Sequence, residues 1–341
     1  MALSIDIGTK QIKVVQGIVK KDAVSITGTF SVKIPNEVAI GTPQTQIVAI
    51  TDLLVPAVKN NSVQLAQPCS ITISDDRFLV RNVSVPKGNP EEVKGMALQE
   101  MISAYNIPPT NIVEAQVLST QDDGKFLVRA ASMDRTIVES YRDLITNIRM
   151  QPKSLTMHSN SIVRLFRTFP AVNGVNLANK SFMLMDCGMF SCIVHVFAGG
   201  AHIASRYLPV GFTDLYYHMS KRSAMAEFSE KSTTYEPTFA KDTEEYQAIP
   251  PMIMEQIENF LRRLSDEITK FARTIPKIAE AGVANLFLYG GNSLIPGLAY
   301  RLGEAMDIST SVIDNVENVE LKPNFENIVY HLNAAAALLN A

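Results

Sequence analysis

Two stretches of the chain place an aspartate near the end of an apolar run, a glycine two residues later and a second apolar run directly after. The first is Leu3-Ser4-Ile5-Asp6-Ile7-Gly8-Thr9-Lys10-Gln11-Ile12-Lys13, and the second is Met183-Leu184-Met185-Asp186-Cys187-Gly188-Met189-Phe190-Ser191-Cys192. A third, Leu286-Phe287-Leu288-Tyr289-Gly290-Gly291-Asn292-Ser293-Leu294-Ile295-Pro296-Gly297, leaves an apolar strand through a double glycine into a helical pattern. These residue types suit polyphosphate binding. Glycine lets a backbone N–H approach a phosphate oxygen with no Cβ in the way. Successive turn N–H groups form an anion-binding concavity. Asp6 and Asp186 would hold Mg²⁺ through water, because that ion keeps much of its hydration shell and takes one or two carboxylates. Thr9, Lys10, Lys13 and Ser191 are placed to reach phosphates, and Gly290, Gly291 and Asn292 to lie along an adenosine. A helix expected from Pro296 would add its positive N-terminal end. Each stretch alone is a common turn; the signal is their order along the chain.

In that order the stretches resemble the two phosphate motifs and the adenosine motif of the actin, Hsp70 and sugar kinase superfamily. Within it the chain is similar, over nearly its whole length, to the PilM family of type IV pilus assembly, relatives of the division protein FtsA. Arg77-Phe78-Leu79-Val80-Arg81-Asn82-Val83-Ser84-Val85-Pro86 is followed by helix, hairpin and helix, and then by Met157-His158-Ser159-Asn160-Ser161-Ile162-Val163-Arg164-Leu165-Phe166. That succession is similar to the inserted subdomain called 1C.

The resemblance implies an α/β, actin-like ATPase fold: two RNase H-like domains, a nucleotide cleft between them and an inserted α+β subdomain. Residues 1–76 and 154–178 would form the first domain, 77–153 the insert, 179–211 and 282–341 the second domain, and 212–281 its subdomain 2B. It implies ATP and Mg²⁺ as cofactors, with weak or absent ATPase activity. The implied partner is a PilN-like bitopic inner-membrane protein that binds through a short N-terminal peptide. The chain would then sit in the cytoplasm, peripheral to the inner face of the membrane, with homo-oligomerisation left open. Three departures stand out. Pro209-Val210-Gly211-Phe212-Thr213-Asp214 carries one glycine where the family usually has two. Ser191 and then Cys192 occupy the place of the second hairpin's usual hydroxyl. Ala226-Glu227 and Lys231 are the nearest match to the family's adenine-lining residues.

Composition narrows the classes. The 341 residues are 46% hydrophobic and 19% charged, as in a folded globular chain. A net charge of −3 gives no electrostatic case for nucleic acid. No run approaches the ~20 apolar residues that span a bilayer, and Met1 leads straight into a strand rather than a signal peptide. Cys69, Cys187 and Cys192 each sit in an apolar run and read as buried free thiols.

The elements that must position the motifs follow from periodicity. Alternating β-branched residues predict strands over 3–7, 12–19, 24–34 and 69–74, with a helix over 43–60. The insert reads as a strand from 77, a helix from Pro90, a hairpin through Asp122-Asp123-Gly124 and a helix capped by Asp134. A strand over 154–157 and a helix capped by Ser159 or Asn160 return the chain to the first domain, and His158 at their junction reads as a turn or capping residue. A meander over 181–208 is followed by a polar stretch, 220–247, read as a mobile loop or short exposed helix. Helices are expected over 251–275, 296–306 and 326–339, with strands over 284–289 and 309–313. A metabolic kinase would need a carboxylate poised as base beside the substrate, and none is marked. An FtsA-like filament protein would anchor by a basic amphipathic C-terminal helix, and the Ala-rich end is not basic. A module that no longer binds nucleotide is the remaining alternative.

Overall fold

Both Asp-x-Gly stretches fold as tight antiparallel hairpins. In the first, β1 (Ala2–Ile7) pairs with β2 (Gln11–Lys20), closing on the pair Ile7 and Ile12. In the second, β9 (Phe182–Cys187) pairs with β10 (Cys192–Ala198), closing on Cys187 and Cys192. Each turn is a four-residue loop whose leading glycine lies against the backbone carbonyl three residues on. A Cβ at Gly8 would stand 2.9 Å from the Gln11 oxygen, and one at Gly188 would collide with the Ser191 oxygen. The computed structural model describes residues 1–39, 42–217, 238–247, 249–322, 325 and 327–341.

The hairpins seed two sheets of the same design. In the first, the order is β3 (Ala23–Lys33), β2, β1, β4 (Pro68–Ile73) and β8 (Gln151–Met157). In the second it is β11 (Ala201–Leu208), β10, β9, β12 (Asn285–Tyr289) and β13 (Ser309–Val312). Three antiparallel strands are followed by two parallel ones in both. β1 and β4 are buried almost throughout, as continuous apolar runs covered on both faces should be. A short strand over Val319–Leu321, not anticipated from the sequence, adds to the free edge of β3. Among the described residues no helix is long and apolar enough to cross a membrane.

The first sheet buries one face under the helices Pro43–Asn60 and Arg135–Asn147, through Ile47, Ile50, Leu54, Tyr141, Leu144 and Ile145. The second buries one face under Pro251–Arg273, through Ile253, Ile257, Phe260, Leu264 and Ile268. The insert has a small core of its own. There β5 (Leu79–Val85), β7 (Phe126–Met133) and β6 (Ile112–Thr120) carry the helix Pro90–Tyr105, with Val83, Val93, Ala97, Met101 and Val128 inside.

Between the sheets lies a fourth core. Phe182 and Phe197 stack at 4.8 Å, and Phe169 meets both rings edge-on. The helix Leu332–Ala337 closes it. Ala334, Ala335 and Ala336 have no exposed surface, and their small size lets the Ser4 hydroxyl reach the Ala334 carbonyl from β1.

Several expectations shift. The Arg135–Asn147 helix, assigned to the insert, packs on the first sheet because its apolar stripe faces Pro43–Asn60. The end of the chain, assigned to the second domain, returns to the first through Val319–Leu321 and the closing helix. That helix is shorter than 326–339 and is flanked by 3₁₀ turns at Ile328–Tyr330 and Leu338–Asn340. Pro276 opens a short helix of its own, Pro276–Ala281, after the long one ends at Arg273. Of the stretch 220–247, Glu244–Gln247 is helical, and the part up to 237, with Ala226, Glu227 and Lys231, lies outside the described residues. Cys69, Cys187 and Cys192 are buried free thiols.

His195, on β10, is fully buried, with Nδ1 2.8 Å from the Ser205 hydroxyl and Nε2 3.2 Å from the Tyr289 hydroxyl. Burial, aided by the nearby imidazoles of His202 and His158, depresses its pKa to about 3. Below pH ~6.5 the unfolded chain therefore takes up a proton that the folded chain refuses. Stability is lost as pH falls from that value towards 3. Chemical denaturation at a series of pH values should show this, and the loss should flatten by roughly 1.4 kcal/mol per pH unit in His195→Gln.

Candidate functional site

The C-terminal ends of parallel strands are where α/β sheets place ligands. Asp6 stands near the end of β1, Ser74 and Asp75 follow β4, and His158 follows β8. Across the cleft, Asp186 stands near the end of β9 and Gly290 follows β12. The adjacent strands of two facing sheets thus deliver all of these groups to one space.

Asp6 is buried and has a cation on each oxygen. Lys13 Nζ lies 3.2 Å from Oδ2, and His158 Nε2 lies 2.8 Å from Oδ1. Burial pushes the carboxyl up, but the charges and hydrogen bonds of Lys13 and His158 outweigh it and hold Asp6 well below the usual carboxylate range. Burial likewise pulls Lys13 and His158 down. Asp6 chiefly, with Asp186, outweighs this and raises both above their ordinary values. His158 therefore does more than the capping role its sequence position suggested. It opens the helix His158–Leu165, whose next residue, Ser159, donates its backbone N–H to Asp75 at 3.0 Å. The missed signal was topological: β8 runs parallel to β4, so its end had to reach the same edge as Asp6.

Asp186 is held differently. Its Oδ2 accepts from the Asn333 amide at 2.7 Å. Burial raises its carboxyl, and His158, Lys13 and Asn333 offset only part of that. Asn333 was not anticipated, since nothing in an alanine-rich helix marks one amide for a carboxylate on another sheet. Gly290 has φ +87°, and a Cβ there would collide with Asp186 Oδ1, so glycine is required on both counts. Asn292 turns its amide inward to the Cys187 carbonyl at 2.9 Å. Through this N–H it fixes the glycine turn to the second hairpin, and it also lines the cavity between the hairpins. The helix expected from Pro296 begins two residues later, at Leu298, after a 3₁₀ turn over Gly291–Leu294.

The single glycine of the 209–214 segment is explained by contact. A Cβ at Gly211 would run into the backbone of Met189–Ser191. Beside it Thr213 donates both its N–H and its hydroxyl to the Met189 carbonyl, at 2.7 and 2.8 Å. The second hairpin tip is thereby clamped. The tip of the first reaches over it, with Lys10 Nζ 5.9 Å from the Phe190 ring centroid and 2.7 Å from Asn36 Oδ1.

Between the hairpins lies a cavity of about 580 Å³, within the range of small-molecule sites. Gly8, Thr9, Lys10, Lys13, Gly188 and Ser191 line it, as do both aspartates, Gly291 and Asn292. Gly290 stands behind them at Asp186. One flank is apolar, formed by Ile34, Val38, Ile47, Ile50 and Tyr141, and it ends at Arg77 where the insert departs. Among the described residues no three His, Cys, Asp or Glu side chains are grouped to hold a metal by themselves. The donors do suit a hydrated divalent ion shared with phosphates. Two carboxylates, Asp6 buried and Asp186 half-buried, face one space, and the lysine on one of them is a group that a phosphate would draw off.

The sequence matches the family model described as type IV pilus assembly protein PilM over residues 4–341. The chain belongs to the PilM family. Among solved structures, this PilM-family chain is similar to the PilM–PilN type IV pilus biogenesis complex. The TM-score is 0.72 at 16% identity, over 99% of this chain and 97% of that one. It is also similar to the ethanolamine utilization protein EutJ from Carboxydothermus hydrogenoformans, with a TM-score of 0.51 at 12% identity, over 98% of this chain and 89% of that one. No curated protein sequence matches it. The fold is that of the actin-like ATPases.

Asp6 is the main partner of Lys13 and His158, so Asp6→Asn removes the carboxylate that holds both. The variant should lose about 3 kcal/mol of unfolding free energy. The His158 imidazole, protonated past its ordinary range in the parent, should titrate at lower pH in the variant. Denaturation curves and an NMR titration of the ring, assigned with His158→Gln, check both outcomes.

Proposed function

We propose that this PilM-family protein binds Mg-ATP between its two sheets. We propose further that it acts as a cytoplasmic scaffold for type IV pilus assembly at the inner face of the membrane. The observation that carries the first part is the mirrored pair of hairpins, which bring Asp6 and Asp186 to one cavity with a glycine turn as its third wall. In this reading the N–H groups of the Gly8–Lys10 and Gly188–Ser191 turns, with Lys13, meet the phosphates. Asp6 and Asp186 hold the hydrated Mg²⁺, whose chemistry is to neutralise the phosphate oxygens. Gly290 and Gly291 give the adenosine room.

Hydrolysis would be slow. Phosphoryl transfer to water needs an oriented nucleophile besides bound phosphates and metal. The nearest candidate, His158, is committed to Asp6. Nucleotide would serve instead as a ligand that stabilises the closed two-domain form by mass action.

The resemblance to a PilM–PilN complex supports a PilN-like partner, docked through a short N-terminal peptide. The apolar flank of the cavity, between the first domain and the root of the insert, is the surface that fits it. An extended peptide there could place alternate side chains against Ile47, Ile50 and Tyr141 beside the Arg77 guanidinium and run on along the edge strand β5 of the insert, which would form the other wall. The peptide would also tether the chain to the membrane.

Two experiments test these parts separately. Titration calorimetry should show Mg-ATP binding that weakens at least tenfold in Asp186→Asn, with steady turnover below ~1 s⁻¹. Absence of heat from well-folded protein would sink the nucleotide reading. For the peptide, Leu79 and Ser132 are directly paired across β5 and β7, so residues 80–131 can be replaced by a short linker without parting the ends. The deletion should keep nucleotide binding and lose the N-terminal peptide of the cognate membrane partner. Undiminished peptide affinity would place the docking surface elsewhere.

A further inference from the structure

The polar side chains of the glycine turn each make a bond inside the protein. Asn292 donates to the Cys187 carbonyl at 2.9 Å, and the Ser293 hydroxyl donates to the Gly290 carbonyl at 2.7 Å. A stacking surface for a base at this end of the cavity has to come from a neighbouring residue. Four aromatic side chains among the described residues line the cavity: Tyr141, Phe190, Tyr207 and Tyr330. Tyr141 is buried in the first domain's core. Phe190 sits at the second hairpin's tip beside the Lys10 ammonium. Tyr207 lies on β11, paired with Ile193 beside the same hairpin. These three belong to elements other than the one tied to the glycine turn.

Tyr330 stands on it. Its 3₁₀ turn is tied to the turn by Gly290 N–H donating to the Val329 carbonyl at 3.0 Å. The same 3₁₀ turn is capped by Asn327, which accepts from Val329 N–H at 3.0 Å. One edge of the Tyr330 ring lies 3.8–3.9 Å from where a Cβ on Gly291 would be. Ile328 and Val329 are buried, but Tyr330 keeps 39% of its surface exposed. The ring is thus fixed at its base, with one edge facing Gly291, while it still presents surface to the cavity.

We propose that Tyr330 is the aromatic wall of a nucleobase subsite, with the base packing on its exposed ring surface and the sugar passing Gly291. The assignment rests on the nucleotide reading above. Stacking needs a π face rather than the hydroxyl and is tolerant of base identity. Tyr330→Phe should therefore keep affinity, and larger purines should bind better than pyrimidines.

The chain has no tryptophan, so Tyr330→Trp creates a single emitter. Its fluorescence should be quenched by Mg-ATP along the calorimetric binding curve and left unchanged by Mg-tripolyphosphate. Tyr330→Ala should lose about tenfold or more in affinity for Mg-ATP and none for Mg-tripolyphosphate. The ring is partly exposed, so the alanine variant should keep the parent's melting temperature. If the parent binds Mg-ATP and the alanine variant binds it equally well, the Tyr330 assignment is overturned while the nucleotide site stands. Heat of Mg-ATP binding with no quenching in the Tyr330→Trp protein overturns it too. If the parent takes up neither Mg-ATP nor tripolyphosphate, the nucleotide reading itself fails and the subsite with it.

Discussion

Two carboxylates stand at the facing edges of two sheets, one buried and one half-buried, and much of the cleft is arranged around keeping them there. Burial raises both acids, and Asp6 raises Asp186 a little further. The chain resolves the strain unequally. Asp6 has the Lys13 ammonium on one oxygen and the His158 imidazole on the other and stays ionised, whereas Asp186 has the Asn333 amide and remains the more easily protonated of the two. The positions of Lys13, His158, Asn333 and Gly290 all follow. Lys13 sits directly across the hairpin from Asp6. His158 begins a helix at the end of a parallel neighbour, and Gly290 leaves room for a carboxylate where any Cβ would collide.

The closing helix joins this site to the rest of the molecule. Its Asn333 reaches the second sheet at Asp186, while its next residue, Ala334, accepts from Ser4 on the first. Six alanine-rich residues therefore carry a hydrogen bond to each domain and form the floor of the core between them. Alanine serves because the helix has to lie close to β1, and a larger side chain would lift it and move Asn333 away from Asp186. The alanine-rich composition, which in sequence reads only as a generic helix, is a spacing device between two sheets.

What could be read from the sequence was what lies within one local stretch. Alternation located the strands, and Asp-x-Gly located both hairpins, because a turn's chemistry is fixed by adjacent residues. The long helix Pro251–Arg273 was legible from its 3,4 spacing. Groups whose role depends on a distant partner were hidden. His158 looked like a capping residue because Asp6 is 152 positions away. The tie of Asn292 to the second hairpin was hidden because its carbonyl partner is 105 positions away. The helix Arg135–Asn147 shows an apolar stripe in sequence, but a stripe does not say which sheet it faces. Val319–Leu321 is three residues long and carries too little periodicity to be seen.

The compensation around Asp6 also bears on how the proposed ligands would arrive. In the free protein Lys13 is held by Asp6, so a phosphate that draws on its ammonium leaves one Asp6 oxygen without a partner, facing Asp186. His158 keeps the other oxygen and so holds the carboxylate in place while this happens. Two carboxylates would then confront each other with one fewer cation between them, a deficit that a hydrated divalent ion meets and a monovalent one meets poorly. Phosphate and cation would therefore promote each other's binding, by a coupling that must be equal in both directions. Its source is the exchange of partners at Asp6, which requires no movement of either sheet.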